Sequence, residues 1–128
     1  DRFIPESSHQ WNVQKHLIAN AVGSLAKLLK QMGTNTIIEM HVDQDAWTFK
    51  IRDNEIGDAL ETIPVEYQSA VPFSPFVVAY NAHYLVDMIQ SLPSQTLRIL
   101  LDTPQTPISL YKPNSDAILG LTMPIRIP

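Results

Sequence analysis

Side chains with catalytic or metal-binding chemistry are few in this sequence. The four histidines, His9, His16, His41 and His83, fall at no spacing that ligates a metal. There is no cysteine, which excludes a thiolate centre, a disulfide framework and a cysteine nucleophile, and fits a reducing compartment. Two close acid pairs, Asp43 with Asp45 and Asp53 with Glu55, have the residue types a hydrolase uses. Both sit in turn-like segments, where acids serve chain reversal and solubility. No glycine-rich phosphate loop, nucleophile elbow or histidine with an obvious carboxylate orienter is present. The chain therefore reads as non-enzymatic and cofactor-free, with its chemistry in binding. One polar feature stands out. Between Trp11 and Ile38 there is no acid, while Lys15, Lys27 and Lys30 occur there. Lys27 falls with Asn20, Ser24 and Gln31 on one helical face, a character suited to water-mediated polar contact or to plain solvation.

The elements that must position these residues follow from length and pattern. At 128 residues, 45% apolar and 17% charged, the chain is expected to bury one core as a single domain. A net charge of −4 argues against tight binding to a nucleic-acid backbone. No apolar run approaches the roughly 18 residues of a membrane span. Asp1 in first place, with no basic-then-apolar leader, is expected of a trimmed or fragmentary chain.

A short strand is expected over Ser7–Trp11, with Asn12 as N-cap of a helix from Val13 to Gln31. In that helix Leu17, Ile18, Ala21, Val22, Leu25, Leu28, Leu29 and Met32 form the apolar stripe, and Gly33 is the stop. Period two then predicts a hairpin of Ile38–Val42 with Trp47–Ile51, a turn over Asp53–Gly57 and a strand over Ala59–Tyr67. After a proline-containing connector, the same order returns. It comprises a strand over Phe76–Tyr80, an Asn81-capped helix over Ala82–Leu92, and strands over Leu97–Leu101, Pro107–Tyr111 and Ala117–Ile127.

Glu61–Tyr67 (ETIPVEY) and Leu121–Ile127 (LTMPIRI) are versions of one stretch, 60 residues apart, which predicts a tandem repeat. The expected fold is α+β. Two strand-helix-three-strand repeats, about 8–68 and 76–128 after a lead-in at 1–7, place two helices on one face of a continuous, mainly antiparallel sheet.

Four motifs in order carry a family resemblance over nearly the whole chain. Tyr80–Asp87 (YNAHYLVD) looks like the F-N-x-x-Y-L-x-D that opens the second helix of a bacterial DNA polymerase III beta clamp's C-terminal domain. The terminal TMPIRI is similar to the family's V-M-P-M-R-L, and Ile56–Tyr67 (IGDALETIPVEY) to G-E-A-x-E-x-I-P-V-x-Y. Arg2–Pro5 (RFIP) looks like the segment leading into that third domain.

The resemblance implies a clamp-like fold and a processivity module without catalysis. In the family, three domains per chain form a ring around duplex DNA that tethers polymerases and other clients by short apolar peptides. Matched by motif, the client-binding residues are Arg2, Phe3, Asn81, Tyr84, Pro107, Leu121, Met123, Pro124, Ile125 and Arg126. Met adapts to varied apolar ligands and Tyr offers a ring with a polar tip. The implied DNA-facing residues are Lys15, Asn20, Ser24, Lys27 and Lys30, although the second helix departs from this with Asp87 and no basic residue. Leu28, Leu29 and Met32 fall where a neighbouring subunit would meet the first helix. The expected location is the cytoplasm, at the nucleoid. The alternative is a stand-alone clamp-like interaction module that encircles no DNA. Size in solution separates the two, since a single-domain ring needs several copies.

Overall fold

The computed structural model describes residues 9–32, 37–52, 57–69, 72–103, 106–112 and 118–125. The lead-in with Arg2 and Phe3, the Gly33 stop, the Asp53–Glu55 pair, most of the 112–116 turn, Arg126 and the Met32 side chain lie outside them.

The first half comprises β1 (Gln10–Gln14), α1 (Lys15–Met32), β2 (Ile37–Val42), β3 (Ala46–Ile51), β4 (Ala59–Pro64) and β5 (Glu66–Tyr67). The second comprises β6 (Phe76–Asn81), α2 (Ala82–Ser91), β7 (Thr96–Leu100), β8 (Ile108–Tyr111) and β9 (Ile118–Thr122). The order of elements is the expected one, except that the single strand expected over Ala59–Tyr67 is two, β4 and β5, parted at Val65. Asn12 corrects the expectation of a cap: it lies within β1, opposite Arg98 on one side and Glu66 on the other. The alternation of buried Trp11 and Val13 with polar neighbours keeps this segment extended up to the start of α1.

The expected continuous sheet is two antiparallel sheets, ordered β5-β1-β7-β8-β9 and β4-β3-β2-β6. Each half lends its first strand to the other. β1 pairs with β7 in a register running from Gln10–Leu100 to Gln14–Thr96. β6 pairs with β2 from Ile37–Asn81 to Val42–Phe76. The helices pack together and against the inner faces of the sheets. Trp11, Val13, Leu97, Ile99, Ile108 and Leu110 fill the core from one sheet, and Ile38, Met40, Trp47, Phe49, Val78 and Tyr80 from the other. Trp11 meets Trp47 edge-on, ring centroids 5.3 Å apart, so an aromatic contact joins the sheets.

The two copies of the repeated stretch are corner strands. After β4 ends at Pro64, Val65 donates its N–H to the Asp45 carbonyl (3.0 Å), and β5 continues on the other sheet beside β1. β9 likewise runs on β8, passes Pro124, and at Ile125 donates to the Ala79 carbonyl of β6 at 2.7 Å. Proline cannot donate to a ladder, so it marks where the strand leaves one sheet for the other. No helix among the described residues is long and apolar enough to cross a membrane.

Candidate ligand-binding surface

The surface is built at the start of α2. Asn81, extended at φ −71 and ψ 118, ends β6, and its Oδ1 accepts from the N–H groups of His83 and Tyr84, both at 3.1 Å. Such a cap contributes about 1 kcal/mol and opens the helix abruptly. Ala82, Leu85 and Ile89 take the buried stripe of α2. Tyr84 and Met88, four residues apart, share the adjoining flank. The terminal strand lies against that flank. Thr122 donates its hydroxyl to the Met88 sulfur at 2.9 Å. Gly120 lies so near that an added Cβ would sit 3.1 Å from the same sulfur.

The register decides which side chains reach solvent. Thr122 stands opposite Ile108, whose side chain is buried, so Thr122 turns inward. Its neighbours Leu121 and Met123 are then thrown outward. Half-buried Pro107 directly precedes Ile108, where the ladder with Thr122 ends. Ile125, tied to Ala79, fixes the far end of the segment. Tyr84, Leu121 and Met123 are 71%, 52% and 61% exposed, apolar side chains left in water at the first turn of α2 and along the corner strand.

The first copy of the motif makes no such surface. Ile63 stands opposite Trp47 and is 4% exposed, while Thr62 points outward and bonds Thr48 at 2.9 Å. By letter Thr62 corresponds to Thr122 and Ile63 to Met123, yet Thr62 turns outward to Thr48 while Thr122 turns inward to Met88. Successive side chains of a strand take opposite faces, so the buried and displayed positions of the two copies are exchanged. The same motif therefore plugs the core in the first half and presents Met123 to solvent in the second.

The structure places Asn81 and Tyr84 at the start of α2, Pro107 just before β8, and Leu121, Met123, Pro124 and Ile125 on the terminal segment, which meets α2 through Thr122 and Met88 and β6 through Ile125. Asn81 acts through its cap. Met88, Gly120 and Thr122 support this surface; the sequence places Met88 on the apolar stripe of the second helix with Leu85, Ile89 and Leu92, and marks none of the three as a site residue. A glycine inside a strand pattern was the signal for close approach.

Among the proposed DNA-facing residues, Asn20, Ser24, Lys27 and Lys30 are exposed along α1. Lys15 is a correction. It is half-buried, and its ammonium donates to the carbonyls of Leu92 and of Gln90 (3.3 Å), at the C-terminal end of α2. The partial negative charge of a helix C-terminus holds it there. Leu29 is also a correction: at 1% exposed it is core, because it continues the stripe of Ile18, Val22 and Leu25. Leu28, 39% exposed, does lie on the surface.

The chain is similar to the beta sliding clamp of Caulobacter vibrioides, 24% identical over 127 residues, which are 98% of this chain and 32% of that protein. Its fold matches the DNA polymerase III beta subunit of Thermotoga maritima with a TM-score of 0.80 at 13% identity, covering 99% of this chain and 33% of that one. It matches a sliding clamp of Bartonella birtlesii bound to griselimycin with a TM-score of 0.77 at 17% identity, covering 94% and 31%. The chain thus spans about a third of the length of the relatives it matches. The family model described as DNA polymerase III beta subunit, C-terminal domain, matches residues 1–126. With strand exchange, paired helices and corner strands all in place, the chain belongs to that family.

Proposed function

We propose that this domain forms part of a ring around duplex DNA and tethers polymerase subunits and other clients through short apolar peptides, acting as a processivity clamp rather than an enzyme. The observation that carries the reading is the surface of Tyr84, Leu121 and Met123, apolar yet held in water by a helix cap and a corner strand. The griselimycin complex of the Bartonella birtlesii relative supports a ligand site in the family. So does a Caulobacter crescentus clamp with polyethylene glycol bound to its putative beta-motif tethering region. Arg2, Phe3 and Arg126 complete the site in this reading. Asn20, Ser24, Lys27 and Lys30 face the DNA, which suits a mildly basic lining because topology rather than affinity retains the duplex. Leu28 and the Met32 end of α1 meet a neighbouring subunit. The working location is the cytoplasm, at the nucleoid.

The test is calorimetry of a short apolar client peptide against the full-length protein. Met123→Ala and Tyr84→Ala should each raise Kd roughly tenfold while leaving the thermal midpoint in place. Unchanged affinity in both variants would remove the surface from the account.

A further inference from the structure

Four methionines and no cysteine leave thioethers as the only sulfur in the chain that an oxidant can reach. Burial separates the three whose side chains are described. Met40 is fully buried in the core. Met88 is half-buried, with its sulfur against the Thr122 hydroxyl and Gly120. Met123 is 61% exposed and stands beside Leu121 on the apolar surface. Oxidation follows access, and it converts a flexible apolar side chain into a polar, chiral one.

We propose that Met123 is an oxidation-sensitive element of this surface: a peroxide converts its thioether to the sulfoxide and so weakens apolar ligands there. In the step the sulfur lone pair attacks the terminal peroxide oxygen, an S–O bond forms and the O–O bond breaks. The sulfur loses two electrons, the peroxide gains them, and the proton of the transferred oxygen ends on the departing water or alcohol. The product places a strong acceptor where an apolar ligand offers no donor, and burying it unpaired opposes binding. Met88 is protected by the same packing that holds the corner strand. The inference rests on the proposed binding surface for its ligand, but not for its reactivity.

The experiment treats the full chain with limiting hydrogen peroxide and maps sulfoxide by mass spectrometry. Two probes are then measured before and after treatment: griselimycin by calorimetry, and anilinonaphthalene sulfonate fluorescence as a report of exposed apolar surface. Met123 should oxidise first, ahead of Met88 and Met40. Griselimycin affinity should fall about tenfold or more, and dye fluorescence should drop. Met123→Leu, whatever its own starting affinity, should show no change with peroxide, while Met88→Leu should keep the sensitivity. Equal oxidation of Met88 or Met40, or an oxidised Met123 that leaves both probes unmoved, overturns the inference. If the untreated protein does not hold griselimycin, the proposed binding function fails instead. The oxidation order and the dye then decide this inference alone.

Discussion

Tyr84, Leu121 and Met123 keep apolar area in water, as Leu60 and Ile118 do elsewhere on the described surface. Covering one such side chain is worth about 1.5–3 kcal/mol, so the free domain holds a reserve that a ligand can use. Buried groups make the opposite case. Tyr80 is fully buried, and its hydroxyl has no hydrogen-bond partner among the described residues; desolvation pushes its pKa far up. Tyr80→Phe should therefore be neutral or stabilising by up to about 1 kcal/mol in urea melts, because it removes an unpaired polar group. A marked loss of stability would reveal a partner. On the outer face of the four-stranded sheet, Arg52 donates to Glu39 at 2.7 and 3.1 Å, and His41 lies 3.1 Å from the same carboxylate. The Arg52 hydrogen bond leads in holding the Glu39 carboxyl below its ordinary 4.5, against partial burial. The folded chain thus binds fewer protons there than the unfolded one. The contribution is full above that ordinary value and is lost as pH falls through the lowered one. Arg52→Gln should flatten the acid limb of the stability profile. Urea midpoints followed downward from neutral pH that keep the same slope in both chains would exclude the pair as its cause.

At the scale of elements, specific polar and close-packing contacts tie the two helices to each other and to the terminal strand. α2 carries no basic residue in its last turn, and Lys15 from the first turn of α1 supplies the missing charge at the Gln90 and Leu92 carbonyls. Lys15→Met, which keeps the stem and loses the ammonium, should cost roughly 0.5–1 kcal/mol in a denaturant melt. Full stability would show those carbonyls satisfied by water. Gly120 sets how closely β9 approaches α2. Gly120→Ala forces the Met88 side chain aside and should cost about 1 kcal/mol. It should also disturb the Thr122–Met88 bond, visible as a shift of the Met88 methyl resonance. An unshifted methyl with native stability would mean the strand moves freely. The elements themselves were legible from period and punctuation: the α1 stripe, the β2–β3 hairpin and the Asn81 cap all lie where the residues place them. The exception is Asn12, where a good capping residue lies inside a strand because tertiary pairing with Arg98 and Glu66 overrides local preference.

At the scale of the whole molecule, the exchange of β1 and β6 makes the halves interdependent. Neither half closes its sheet alone, since the second strand of each finds its partner in the other. A chain cut in the connector between residues 69 and 75 should give fragments that are unfolded apart and regain structure when mixed. The intact chain should unfold in a single transition by circular dichroism and fluorescence. A fragment with a cooperative melt of its own would refute that interdependence.

The residues alone determine the tandem order of elements, the two apolar helix stripes and the family motifs, because propensity, period and capping act over a few neighbours. Three things depend on contacts far apart in sequence. The strands divide between two sheets; Lys15 and Leu29 turn to packing rather than to a partner; and one copy of the Thr-x-Pro stretch is buried while the other is displayed. The last is the consequential one. A strand's faces alternate every residue, so turning Thr62 outward and Thr122 inward is enough to exchange them. Packing against the core decides which face is buried, and no local pattern in the chain encodes it.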